Sequence, residues 1–208
     1  MPKHTQALPM SDPQSLEKAK LVIENGGLIV FPTDTLYGLA CDYRNSDAIE
    51  TIYQAKGRSA AKALPVLVSD LNQLPQLVQV VPNIAEILMG YYWPGPLTLI
   101  LPKLANLPEN LTPYPGLALR MPAHPFATAL LNATGPLAVT SANLSDYPNP
   151  LDTQAILEQL EGKFDLLLDG GKLTPNPGST IVDCLSGEPR LIRQGVIPFV
   201  DILRKIQN

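Results

Sequence analysis

The chain predicts a mixed, twisted α/β sheet flanked by helices. Apolar runs of strand length alternate with helical stretches that have recognisable caps and stops, and several neighbouring runs follow one another with no helix between them. Taken in order, Ser11-Asp12-Pro13 starts a helix with Pro13 at its first position, and Gly26-Gly27 stops it. Leu28 to Phe31 is a continuous apolar run and reads as a buried strand. Ser46 caps a second helix, which presents Ile49, Ile52 and Tyr53 on one face and ends at Gly57. Pro65 to Val68 is a strand, and Pro82 to Tyr91 a helix closed by the turn residues Trp93-Pro94-Gly95-Pro96. Strands follow at Leu97–Leu101 and Leu117–Arg120, then a helix over 126–132 and a strand at Leu137–Thr140. A helix over Thr153–Leu160 precedes strands at Leu166–Leu168, Thr180–Asp183 and Leu191–Arg193, and a last helix begins at Pro198.

The 208 residues are enough to bury a sizeable core, and the 22 prolines are scattered singly rather than gathered in a linker. We read residues 1–208 as one domain. Charged residues make up 16%, against a usual share of about 25%. A net charge of −4 argues against a broad basic face for duplex nucleic acid, while leaving room for a local positive cleft. No run approaches the roughly 18 apolar residues of a membrane span, and Met1 to Lys20 has no apolar segment of signal-peptide length. The expectation is a soluble cytoplasmic protein whose Cys41 and Cys184 are free thiols. With only His4 and His124, a histidine-rich metal site or a triad is hard to build, and neither a Walker A motif nor G-x-G-x-x-G is present.

Polar residues set singly among apolar runs are the candidates for chemistry. Lys56 and Arg58, with Lys62 just beyond, form an anion-binding fork after the second helix; they read equally as cations completing a helix C-terminus. Ser141 and Asn143 end an apolar strand and either bind a ligand or make a turn. Thr33-Asp34-Thr35 follows Phe31-Pro32 with the same ambiguity. Arg120 and Arg193 each end an apolar run, where an unpaired guanidinium would be costly; Asp34, Asp169 and Asp183 are the carboxylates within which to look for partners. His124, between Ala123 and Pro125 at a helix entrance, reads as a capping residue.

Six blocks in order then resemble the YrdC-like family: Phe31-Pro32-Thr33-Asp34-Thr35-Leu36-Tyr37-Gly38-Leu39, Lys56-Gly57-Arg58, Trp93-Pro94-Gly95-Pro96-Leu97-Thr98, Leu119-Arg120-Met121-Pro122, Thr140-Ser141-Ala142-Asn143 and Gly178-Ser179-Thr180-Ile181-Val182-Asp183. The resemblance implies a twisted mixed α/β fold around a positively charged central cavity, in the short form without a further C-terminal domain. It implies L-threonylcarbamoyladenylate synthesis: L-threonine, bicarbonate and ATP, accompanied by Mg2+, give threonylcarbamoyl-AMP and pyrophosphate, which downstream tRNA-modifying proteins use. Carried over by motif, Lys56, Arg58, Lys62, Ser141, Asn143, Asn149 and Arg193 would hold ATP, with Lys56 and Arg58 catalytic. Thr35, Arg120 and Ser179 would hold L-threonine, and no metal would have protein ligands.

The chain departs from the family pattern at Leu67, where many members have a histidine, at Gly116, where threonine is common, at Gln194 in place of proline, and at Ser145-Asp146-Tyr147 in place of Ser-Gly. These lean towards the YciO-like branch. The alternative is a non-catalytic RNA-binding protein of the same fold, which the acidic total charge disfavours. A carbamoyl-transfer role like that of hydrogenase maturation proteins would bring paired C-x-x-C segments, and there are none.

Overall fold

The computed structural model describes residues 5–57 and 62–206. Its centre is a ten-stranded mixed sheet. In chain order the strands are β1 (Gln6–Pro9), β2 (Ile29–Pro32), β3 (Tyr37–Asp42), β4 (Val66–Leu67), β5 (Leu97–Pro102), β6 (Gly116–Arg120), β7 (Leu137–Ser141), β8 (Leu166–Asp169), β9 (Thr180–Asp183) and β10 (Arg190–Arg193). Across the sheet they run β1-β8-β2-β3-β7-β4-β6-β5-β9-β10. The helices are α1 (Ser15–Glu24), α2 (Ser46–Lys56), α3 (Asn83–Tyr92), α4 (Pro125–Thr134), α5 (Thr153–Leu160) and α6 (Phe199–Ile206), with a 3-10 turn at Leu71–Gln76. Among the described residues no helix is long and apolar enough to cross a membrane.

Strand periodicity divides the core in two. Leu28, Val30, Leu39, Leu97, Leu99, Leu117, Leu119 and Leu167 face one side, packed with residues from α2, α3, α5 and α6. Ile29, Phe31, Ala40, Leu137, Val139, Leu166 and Leu168 face the other, packed with α1 and α4. On that second face, β5, β6 and β9 contribute Ile100, Ala118 and Ile181, all only half-buried. The second face is therefore capped by helices over β8, β2 and β3 and less fully covered towards β5 and β9.

Helix starts differ from the sequence expectation at two points. α1 begins at Ser15, not Pro13: Asp12 accepts from the Gln14 N–H at 2.8 Å and shapes a turn before the helix. In α2 the cap is Asn45 rather than Ser46; its Oδ1 accepts from the N–H groups of Asp47 (3.1 Å) and Ala48 (3.0 Å). Gly57 ends α2 in the left-handed conformation, φ 60°, as its sequence position suggested. His124 does cap α4: Nδ1 accepts from the Ala127 N–H at 3.3 Å.

Candidate active site

β7 ends and β3 starts at one end of the sheet, where Gly38 pairs with Ser141. β6 ends at the other, because Arg120 pairs with Leu67 and Leu67 with Leu137, the first residue of β7. β5 and β9 start in parallel beside the end of β6, with Leu97 opposite Thr180, and β10 brings Arg193 alongside Ile181. Side chains join the two ends: Arg120 reaches Asp34 and Thr35 in the β2–β3 turn, close to Tyr37, whose carbonyl accepts from the Ala142 N–H.

Lys56 sits at the last position of α2 and is 3% exposed. Its ammonium donates to the Ser141 carbonyl (2.6 Å), the Asn143 carbonyl (2.7 Å) and Asn143 Oδ1 (2.9 Å). Ser141 Oγ donates to the same Oδ1 at 2.7 Å, and Asn143 Nδ2 donates to the Tyr147 carbonyl at 2.6 Å. The lysine, serine and asparagine are therefore one network, with the lysine charge directed onto the loop that follows β7. Lys62 stands at the edge of this loop, 3.9 Å from Asp146, both well exposed. Asn149 is exposed further along it. Arg58 lies outside the described residues.

Arg120 is 6% exposed and its fork is occupied: Nη2 reaches Asp34 Oδ1 at 2.6 Å, Nη1 reaches Thr35 Oγ1 at 2.7 Å, and Nε donates to the Gly95 carbonyl at 2.9 Å. The internal ion pair considered from the sequence is thus present, and Asp34 is the partner. Burial lowers the guanidinium pKa, and Asp34 works in the opposite direction. Thr33 Oγ1 accepts from the N–H of Thr35 and of Leu36, so the turn between β2 and β3 that presents Asp34 and Thr35 is held by its own side chain.

Arg193 is placed differently. Its Nε and Nη2 both donate to the Ser179 carbonyl, at 3.2 and 2.8 Å, and Nη2 also reaches Ser179 Oγ at 3.2 Å. Among the described residues no carboxylate pairs with it; Asp183 pairs with Arg190 instead (2.9 Å). It lies on β10, whose four residues are all exposed, and not in a buried strand; local desolvation of the guanidinium against Ser179 and the positive charge of Arg120 nearby lower its pKa. Two guanidinium groups thus sense each other with a single carboxylate, Asp34, paired at the site. Such an arrangement attracts an anion.

Two further residues join these groups. Asn176 donates from Nδ2 to the Thr35 carbonyl (2.6 Å) and accepts from the Gly178 N–H (2.9 Å), tying the loop before Ser179 to the β2–β3 turn. Thr98 Oγ1 lies 2.8 Å from Ser179 Oγ, both buried. Asn176 lies in Thr174-Pro175-Asn176-Pro177, which reads as a loop, so its role has no signal in the sequence beyond turn chemistry. Thr98 is the alternate, inward residue of β5 and could be found from the parity of Leu97 and Leu99.

The departures from the family pattern are each accommodated. Asp146 takes φ 66°, the conformation glycine adopts without strain. A Cβ at Gly116 would lie 2.5 Å from Ile100 Cγ2 and 3.1 Å from Leu185, so bulk here is supplied by neighbours. Gln194 donates to the Ile197 carbonyl (2.8 Å) and accepts from the Phe199 N–H (3.2 Å), joining β10 to α6. Leu67 packs in the core beneath α4.

The fold defines a class of mixed α/β proteins built on a large twisted sheet flanked by helices. A family model described as "Telomere recombination", that of the Sua5, YciO and YrdC proteins, matches residues 21–195, and the chain belongs to that family. Among curated relatives, the threonylcarbamoyl-AMP synthase of Bacillus subtilis is 40% identical over 93% of this chain and 56% of its own length. That of Pyrococcus abyssi is 37% identical over 88% of this chain and 55% of its own, so the chain spans a little over half of these relatives. The P. abyssi Sua5 structure complexed with L-threonine superposes with a TM-score of 0.89 at 34% identity, covering 98% of this chain and 60% of that one. Escherichia coli YciO superposes with a TM-score of 0.83 at 29% identity, covering 94% of this chain and 97% of that one.

Proposed function

We propose that this protein makes threonylcarbamoyl-AMP from L-threonine, bicarbonate and ATP, releasing pyrophosphate. The observation that carries the reading is the pair of neighbouring guanidinium groups, Arg120 and Arg193, with Asp34 the carboxylate paired to Arg120, joined through the β2–β3 turn to the Lys56–Ser141–Asn143 network. The names of the relatives supply the substrates to which that site is matched.

The chemistry needs no protein nucleophile. Threonine nitrogen attacks the bicarbonate carbon and forms a carbamate with loss of water. A carbamate oxygen then attacks the α-phosphate, forming the mixed anhydride and breaking the bond to pyrophosphate. The protein contributes orientation and charge. Thr35, Ser179 and Arg120 form the threonine half, with Arg120 meeting the substrate carboxylate by sharing or exchanging its contact with Asp34. Ser141 and Asn143 hold the nucleotide, and Lys56 keeps both aimed while placing its charge beneath the phosphates. Arg193 and Lys62 face the polyphosphate, Asn149 lines the approach, and Arg58 is assigned to the phosphates from its sequence motif alone. Mg2+ carried by the triphosphate would supply further neutralisation of charge on the leaving group, beside Lys56, Arg193 and Lys62. Among the described residues no three His, Cys, Asp or Glu side chains converge. The product passes to a tRNA-modifying protein.

The test is pyrophosphate release by the purified chain, with the adenylate followed by mass. Release should require threonine and bicarbonate together, fall by orders of magnitude in Arg193→Ala, and be indifferent to added RNA. Release that persists without threonine, or that appears only with RNA, overturns the proposal in favour of an RNA-binding role.

A further inference from the structure

On the opposite sheet face from Arg120, a groove of about 1070 Å³ opens between the 3-10 turn, residues 78–81 and α3. Its apolar lining includes Leu74, Val78, Met89, Trp93, Leu104 and Met121. Leu71 and Val80 also line it, and they are 51% and 57% exposed, unusual for large aliphatic side chains. Among the described residues the charged ones on its edges are both acidic, Asp70 and Glu86, and no lysine, arginine or histidine lines it.

Two observations point to an occupant from outside. Ser69 Oγ, at one end of the groove, is buried and has no hydrogen-bond partner. Such a hydroxyl ordinarily carries an uncompensated desolvation cost. Gly90 lies inside α3, where glycine is less favourable than alanine. Yet a Cβ there would meet nothing within 4 Å, and no positive φ calls for glycine. Nothing within the fold requires Gly90. Its bare surface instead leaves room for another backbone to approach α3.

We infer that this groove docks an amphipathic helix of a partner protein, with aliphatic residues on the inner face and lysines or arginines along the edges. The ten residues of α3 span about 15 Å, enough to match apolar anchors spaced i, i+3 or i+4, and i+7 on a partner helix. Asp70 and Glu86 then meet the partner's cations, and a polar group on the partner satisfies Ser69. This site is independent of the proposed chemistry and shares none of its side chains.

Trp93 is the chain's single tryptophan, so its emission reports occupancy directly. The probe is a synthetic helical peptide of about 16 residues, free of tryptophan, with leucines at the anchor positions and flanking lysines. Its twin has every lysine replaced by glutamate. The lysine peptide should change Trp93 emission saturably and bind more weakly as salt rises, while the glutamate twin should not. Gly90→Leu should weaken the lysine peptide by about tenfold or more, with pyrophosphate release unchanged. Glu86→Lys, at an exposed position, should shift preference towards the glutamate peptide. Equal binding of the two peptides, or unaltered affinity in both variants, would overturn the inference.

Discussion

At Arg120, three donors are directed to Asp34, Thr35 and the Gly95 carbonyl, which come from two separate stretches of chain. The same side chain proposed to meet a substrate carboxylate is therefore also a strut. Removing it strands Asp34, whose side chain is only 15% exposed, and breaking one partner from a buried pair typically costs about 3–5 kcal/mol. Arg120→Ala should show that loss in urea unfolding, and threonine should no longer raise its Tm. Asp34→Asn keeps an acceptor and should cost less; equal losses in the two variants would mean that the ion pair is not the strut. The thiols make a second residue-scale prediction. Burial pushes Cys41 and Cys184 up to about 12, so both should resist alkylation at pH 8 until the protein unfolds. Rapid native-state labelling of either would contradict their burial. Such residues were legible where a polar group interrupts an apolar run, as Arg120 and Ser141 do. Asn176 and the identity of Arg120's partner were not, because hydrogen bonds across more than 80 positions leave no local pattern.

Among the elements, α4 shows most directly how a cap becomes a pH response. His124 accepts the Ala127 N–H through Nδ1, so the cap requires that nitrogen to be unprotonated. Burial lowers the His124 pKa below its ordinary 6.5, with Asp34 pulling the other way. Because the folded value is the lower one, the unfolded chain binds the proton first as pH falls. The stabilisation is present in full above about 6.5 and is lost as pH drops through the lowered folded value. His124→Asn, which keeps a cap acceptor without titrating, should flatten that part of the stability–pH profile; an unchanged profile would assign the dependence to other groups. The capped helices and the continuous apolar strands were readable from sequence. β1 was not, since Gln6-Ala7-Leu8-Pro9 is a short edge strand ending in proline. β3 was hidden by Gly38, which looks like a turn residue but is small because Val139 packs against it; a Cβ would lie 2.6 Å from Val139 Cγ1.

For the molecule as a whole, strand order is the part that sequence withholds. β1 pairs with β8 and β5 with β9, across more than 70 residues in each case, and no periodicity specifies such partners. Yet this order is what brings Arg120, Ser179 and Arg193 to one rim, which the Arg120 side chain joins to Thr35. The last joint of that rim is Gly195. Its N–H donates to Thr180 Oγ1 at 3.0 Å, and the next N–H, of Val196, donates to the Gly178 carbonyl at 3.0 Å. An added Cβ would run into the Ser179 carbonyl carbon, the Thr180 nitrogen and the Gly178 oxygen, backbone atoms that no rotamer change can move. Gly195→Ala must therefore push the end of β10 away from β9 and draw the Arg193 guanidinium off Ser179. We expect a stability loss of about 1–3 kcal/mol, the range for overpacking, together with loss of the Tm increase produced by ATP and threonine. Gly187→Ala is the control: its φ of 82° is strained for alanine, but nothing lies within 4 Å of the new Cβ. It should lose about 1–2 kcal/mol of stability while keeping the ligand response in full. If Gly195→Ala keeps that response as well, the contact between Arg193 and Ser179 is not what joins the two halves of the site.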